Sequence, residues 1–225
     1  MKAVVYTAVF GRPDALFHPR PAMPGVDKLC FTDMHYKAKT DYKMVKVSLP
    51  DEMFRVLKQR RVKIFWPDIL DKYDCSIYVD SNAQLLMSPQ ELLRIAKSQD
   101  ADIFALQHPG RTCAYAEAEK CWRAKLFPRE AYDDVVARYR ADGYPENAGL
   151  YACYMVFRRH TEKVKRFSED WWAEVQWTPR DQISFPYVAW KHGLKIATMS
   201  PKQGRSEVVY VHGHKPRNPN WQKEG

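Results

Sequence analysis

In SIYVDSNAQLL, which begins at Ser76, a short apolar run of strand-like composition ends in Asp80, and Asn82 follows two residues later. A carboxylate at a strand terminus faces a crevice rather than a packed sheet, so it can stay ionised, hydrated and open to a cation. Aspartate at such a place also closes turns with its side chain, and the pattern alone leaves both uses open. His108, after the strand-like DIFALQ, is equally open between a structural role and an approach to a ligand. Glu117 and Glu119 in AYAEAEKC offer two carboxylates, but an i, i+2 spacing does not put both on one helix face; neither is assigned. The five cysteines, Cys30, Cys75, Cys113, Cys121 and Cys153, are odd in number and contain no CxxC pair. That argues against a disulfide framework and a structural zinc site and points to a reducing cytoplasm.

The elements that must position these residues follow from periodicity. AVVYTAVF, KLCFTD, CSIYVD and DIFALQH are short runs rich in β-branched and aromatic residues that end in polar or turn-forming residues, and LYACYMVF is a longer one. They predict strands of a largely parallel sheet. Between two of them lies SPQELLRIAKSQ, with Ser88 as N-cap, Pro89 at the first helical position and Glu91 completing a capping box. Thr161 precedes EKVKRFSEDWWAEV, whose Val164, Phe167, Trp171 and Val175 repeat at helical spacing. DQISFPYVAWKH predicts a further helix, kinked at Pro186 and ended at Gly193. Alternating strands and helices specify an α/β domain with a mixed, mostly parallel sheet flanked by helices, in which ligands bind beyond the carboxyl ends of the strands.

The 225 residues suffice for one sizeable core, and a single domain over 1–225 is expected, with a basic C-terminal tail from about 202. No apolar run approaches the ~20 residues of a membrane-spanning helix, and the opening MKAVVYTAVFG lacks a cleavage-site pattern. The net charge of +9 favours anionic partners: phosphate-bearing small molecules, nucleic acid or acidic lipid. Basic residues gather in RVLKQRRVK from Arg55, in RRHTEKVKR from Arg158 and in the tail. If these runs share a face they form a track for a polyanion; the alternative is solvated surface.

VYTAVFGRPDAL, VDKLCFTD, RRVKIFWPDILDKYDCSIYVDSNAQLL and RDQISFPYVAW, in this order from Val5 to about Trp190, resemble the glycosyltransferase-like family related to plant pectin- and mucilage-associated enzymes. More distantly they resemble nucleotide-sugar glycosyltransferases of the GT-A (Rossmann-like) fold, such as the glycogenin-like enzymes. The resemblance implies that Asp80-Ser81-Asn82 stands where those enzymes carry DxD, holding Mn²⁺ or Mg²⁺ against a nucleoside diphosphate. Asn82 keeps an oxygen donor but lacks the charge, which implies weaker metal affinity. His212 or His214, followed by Lys215 in VHGHKPRNPNW, corresponds to the relatives' third metal ligand and diphosphate-binding lysine, at a shorter spacing. By the same carry-over Thr7, Ala8 and Val9 cradle the base and ribose, Asp33 contacts the nucleoside, and Lys63 reaches the diphosphate. Arg180, Asp181 and Gln182 resemble the RDQ element beside the transferred sugar.

The function so implied is transfer of a hexose from a nucleoside diphosphate sugar, UDP being the expected diphosphate, to an acceptor hydroxyl. The acceptor stays open, with a polyanion such as hydroxylated DNA or an acidic glycan compatible with the charge. Two rival readings are a metal-dependent lipid amide hydrolase and a nucleic-acid-binding protein without chemistry. No apolar insertion marks a lipid site, and no RNP-like, zinc-finger or helix-turn-helix pattern supports the second.

Overall fold

The structure is a computed structural model that describes residues 1–11, 16–33, 36–37, 40–178, 180–212 and 222–223, with backbone alone at 36–37 and 222–223. In chain order the elements are β1 (Ala3–Val9), β2 (Asp27–Thr32), β3 (Tyr36–Lys37), β4 (Lys43–Lys46), α1 (Arg55–Ile64), β5 (Cys75–Val79), β6 (Ala83–Leu85) and α2 (Pro89–Ser98). There follow β7 (Ile103–Gln107), α3 (Ala114–Arg123), α4 (Arg129–Ala141), β8 (Tyr151–Arg159), α5 (Glu162–Trp177) and α6 (Asp181–Lys191). The chain closes with β9 (Ile196–Ala197), α7 (Pro201–Gln203), β10 (Val209–Val211) and β11 (Gln222–Lys223).

Seven strands form one sheet in the order β4-β2-β1-β5-β8-β7-β9. All pairings are parallel except the two that β8 makes with β5 and β7. The expected mixed, mostly parallel sheet flanked by helices is therefore present, as in Rossmann-like GT-A folds. The interior strand β1 is buried on both faces, which is why its sequence is nearly continuously apolar. Val4, Tyr6 and Ala8 enter a core shared with α1, α3, α4, α5 and α6, whereas Ala3, Val5 and Val9 face the opposite core with α2 and the Val208–Val209 segment.

Local chemistry sets the helix boundaries. Ser88 Oγ accepts from the Glu91 N–H while the Glu91 carboxylate accepts from the Ser88 N–H, the capping box the sequence specifies. Thr161 Oγ1 caps α5 through the Val164 N–H. Helix α6 continues through Pro186, and Gly193, at φ +56°, ends it with N–H bonds from Gly193 to Trp190 and from Leu194 to Ala189. The basic segment from Lys202 is folded as far as His212. After α7 a π-turn over Gly204–Val208 leads into β10, which pairs antiparallel with β6. A Cβ on Gly204 would run into the buried Leu106 side chain of β7, so glycine lets this turn lie close against the sheet. Among the described residues no helix is long and apolar enough to cross a membrane.

Candidate active site

The reversed strand β8 creates the site. Because it runs against β5, its beginning lies beside the end of β5, and the Asp80 N–H donates to the Tyr154 carbonyl at 2.8 Å. A cavity of about 220 Å³ opens there, lined by Val56, Gln59, Arg60, Lys63, Asp80, Cys153, Tyr154, Arg180, Asp181 and Gln182. Five residues singled out in the sequence (Lys63, Asp80, Arg180, Asp181 and Gln182) thus converge from α1, the end of β5 and the start of α6.

The two uses of Asp80 separate into its two ends. Its backbone carbonyl closes the turn by accepting from Ala83 N–H at 2.8 Å, while its carboxylate accepts from the Tyr78 hydroxyl at 2.8 Å and lines the cavity. Burial raises the Asp80 pKa above the ordinary carboxylate value, Lys63 opposing it and Asp181 adding to it. Asp181 goes the other way. Burial pushes it up, but Lys63, Arg60 and Arg180 outweigh burial and hold it below the ordinary value. Its Oδ2 accepts from Lys63 Nζ at 2.6 Å and its Oδ1 from the Gln182 N–H at 3.1 Å. Lys63, penalised by burial, is held charged by Asp181 and Asp80. Cys153 in the wall is pushed well up by burial, which leaves it a neutral thiol and a poor nucleophile.

Lys63 reaches this place because α1 is anchored at its C-terminal end. The fully buried Arg158 guanidinium donates to the Ile64 and Lys63 carbonyls, each at 2.9 Å, and to Ser168 Oγ at 3.2 Å. The Tyr6 hydroxyl, itself bonded to Arg158, donates to the same Lys63 carbonyl at 3.1 Å. A cation against the last carbonyls of a helix satisfies acceptors that have no intrahelical partner. Lys63 and Arg158 are therefore not parts of a basic surface, and a polyanion track built from those two runs is corrected on this point.

Sequence reasoning missed Val56, Gln59, Arg60, Tyr78, Tyr154 and Glu117. Val56, Gln59, Arg60 and Lys63 follow i, i+3, i+4, i+7 spacing, so one stripe of α1 faces the cavity, a signal present in RVLKQRRVK. Glu117, left unassigned, is buried on α3, with its carboxylate 3.7 Å from Arg180 Nη2. His108 lies behind the wall, its Nε2 4.0 Å from Glu117.

Asn82 and His212 meet each other rather than that cavity. The His212 N–H donates to the Asn82 carbonyl at 2.9 Å, and both residues line a neighbouring groove of about 990 Å³ with Pro109, Lys202, Arg205 and Tyr210. The His212 ring stacks on Phe17 with centroids 3.6 Å apart. Asp80 and Asn82, two residues apart, thus face two adjoining spaces. Among the described residues no three His, Cys, Asp or Glu side chains converge as a ready-made metal cage. The Asp80 carboxylate therefore stands apart from Asn82 and His212, and a cation at Asp80 would have to complete its shell with water and substrate oxygens, as Mg²⁺ and Mn²⁺ can.

Thr7, Ala8 and Val9 are buried at the end of β1 and do not line this cavity. The Asp33 carboxylate accepts from the Gly11 N–H at 3.4 Å, tying the end of β2 to the end of β1. His214 and Lys215 lie outside the described residues.

A search of curated proteins found no match. The sequence does match the family described as TOD1/MUCI70, glycosyltransferase-like domain, over residues 60–214, which spans every residue of the cavity except Val56 and Gln59. With the match extending over more than half of its length, the chain belongs to the TOD1/MUCI70 family of glycosyltransferase-like domains.

Proposed function

We propose that the protein is a hexosyltransferase that uses a nucleoside diphosphate sugar, a UDP-sugar first among them, and that the cavity at the end of β5 holds the diphosphate and the transferred sugar. Family membership supports glycosyl transfer in general. The observation that carries the finer reading is the convergence of three cations, Arg60, Lys63 and Arg180, with two carboxylates, Asp80 and Asp181, around one cavity at a strand end. Departure of a nucleoside diphosphate leaves negative charge on its terminal phosphate, and preorganised cations beside it lower the barrier. Lys63 suits this role because burial and its paired carboxylates keep it charged and fixed. Mn²⁺ or Mg²⁺ held by Asp80 and the diphosphate, with Asn82 and His212 on the adjoining groove and not in this cavity, would add to that neutralisation.

Asp181 has the opposite task. A carboxylate held below the ordinary range takes up protons poorly at neutral pH, so it serves as fixed negative charge for the cationic character that develops at the anomeric carbon. Arg180 and Gln182, bonded to each other at 3.1 Å, flank it, Gln182 toward the sugar and Arg180 toward the phosphate that the sugar leaves. The acceptor enters through the adjoining groove, where Lys202, Arg205 and the half-exposed ring of Tyr210 favour an anionic acceptor, nucleic acid or glycan. The test is release of free hexose from a panel of nucleotide sugars with and without Mn²⁺, followed by transfer of labelled hexose to hydroxymethylated DNA, unmodified DNA and an acidic glycan. Hydrolysis of at least one donor is the result expected; no turnover of any donor would overturn the proposal.

A further inference from the structure

Behind the cavity wall lies a cluster that the proposed chemistry does not use. Glu117 is buried to 1% exposure on α3, on the face it shares with Ala114, Ala118 and Cys121. Its Oε2 accepts from Arg111 Nε at 2.5 Å and lies 4.0 Å from His108 Nε2. Its Oε1 accepts from Cys121 Sγ at 3.3 Å and lies 3.7 Å from Arg180 Nη2. His108 is itself oriented: Nδ1 accepts from the Gly110 and Arg111 N–H groups at 3.2 and 3.1 Å, which puts the ring proton on Nε2, facing Glu117.

An anionic side chain is rarely this buried on an apolar helix face without a purpose, because desolvation of the charge costs several kcal/mol before partners repay it. Arg111 alone would satisfy it. The carboxylate also faces Arg180, whose other side lines the cavity with Asp181 and Gln182. Arg180 Nη2 donates to Gln182 Oε1, and its Nε has no hydrogen-bond partner in the described protein. Glu117 is thus the one carboxylate within 4 Å of this guanidinium among the described residues. Arg180 also occupies the position just before α6, without a capping side-chain bond, and Asp181 is the first residue of that helix.

We propose that Glu117 is a positioning residue: held from behind by Arg111 and His108, it draws the Arg180 guanidinium into the cavity wall and sets it toward an anionic group of the bound donor. This rests on the reading of the cavity as a nucleotide-sugar site. A preorganised cation binds an oxyanion better than a mobile one because the ordering is done before the ligand arrives.

The experiment is a double-mutant cycle read by calorimetric titration with UDP in the presence of Mn²⁺. Glu117→Gln keeps the shape and removes the charge; it should weaken UDP binding about 10-fold, within the range of couplings between groups in direct contact. In an Arg180→Ala background the same substitution should change the affinity less than about twofold, because its target is gone. Glu117→Asp, which keeps the charge, should recover part of the loss. A purely structural role would weaken binding equally in both backgrounds, and that result, or an unchanged affinity in Glu117→Gln, overturns the proposal. Should Glu117→Gln not fold, Arg111→Leu loosens Glu117 from its partly exposed side and should weaken binding in the wild-type background alone. Wild-type protein that binds neither UDP nor any other nucleoside diphosphate would overturn the cavity reading itself, and this proposal with it.

Discussion

Replacing Lys63 by methionine removes the ammonium and keeps most of the stem. The structure specifies what is left behind: Asp181, 7% exposed, without the cation now 2.6 Å from its Oδ2. At that separation, and an effective dielectric constant of about 20, the pair attraction is roughly 6 kcal/mol before desolvation is subtracted. Removing one member of a buried pair costs about 3–5 kcal/mol, since the survivor stays desolvated and unpaired. Asp80 escapes more easily, because its pKa is already raised and protonation relieves it. Asp181→Asn should be costly for the mirror-image reason, stranding Lys63. In the double variant neither charge is stranded, so its destabilisation should fall short of the sum of the singles by about 2–3 kcal/mol. Urea unfolding followed by far-UV circular dichroism on the four proteins measures this directly. The pH dependence has a determined sign. The depressed Asp181 contributes stability that is present above its unfolded pKa of about 4 and is lost as pH falls through its lower folded value. The raised Lys63 contributes stability that is full below about pH 10 and is lost as pH climbs through its folded value. Additivity of the two substitutions within about 0.5 kcal/mol would refute the reasoning and mean that the ammonium and carboxylate do not meet in solution.

Arg158→Met should destabilise by about 2–4 kcal/mol, because it takes donors from the buried Lys63 and Ile64 carbonyls; a change within about 0.5 kcal/mol in urea unfolding would contradict the anchoring role. His160, stacked on Trp66 and bonded to Ser76 Oγ, has its pKa lowered by burial to about 4. Its contribution, about 3 kcal/mol by the size of the shift, is present above pH ~6.5 and lost as pH falls towards 4, so the stability difference between wild type and His160→Gln should shrink across that window. Gly204→Ala should cost about 1–3 kcal/mol by driving a methyl into Leu106, read as a lowered Tm. In catalysis, Asp181→Asn should lower turnover more than donor affinity, whereas a neutral substitution of Lys63 should weaken donor binding as well as turnover; equal losses of affinity with unchanged turnover in both would show the two roles to be misassigned.

Much of the fold was legible because its signals are local. The strands β1, β2, β5, β7 and β8 and the capped helices α2 and α5 follow from alternation, β-branched content and cap residues within a few positions of each boundary. Asp80 was legible for the same reason, as the polar end of an apolar run. The partnership of β6 with β10 was not, because Leu85 and Val209 meet only through the folded chain, and strands of three residues carry little pattern of their own. Two burials were readable but overlooked. Arg158 stands two residues after Val156 on an alternating strand and so shares its inward face. Glu117 shares a helix face with Ala114, Ala118 and Cys121. For Arg158 a cluster of like charges drew the reading to the surface, and for Glu117 the i, i+2 pairing with Glu119 left it unassigned, whereas the apolar neighbours at strand or helical period pointed inward.

The central claim is that the cavity at the end of β5 binds the diphosphate of a sugar donor. Calorimetric titration of wild type and Asp80→Ala with UDP, with and without Mn²⁺, tests it most directly, because Asp80 lines the cavity while contributing one side-chain hydrogen bond, that with Tyr78, to the surrounding fold. Saturable binding to the wild type that Mn²⁺ strengthens is expected, with an affinity at least 10-fold weaker in a folded Asp80→Ala variant, a loss of about 1.4 kcal/mol or more. Equal affinity in the two proteins, or no binding of UDP to the wild type under either condition, would contradict it.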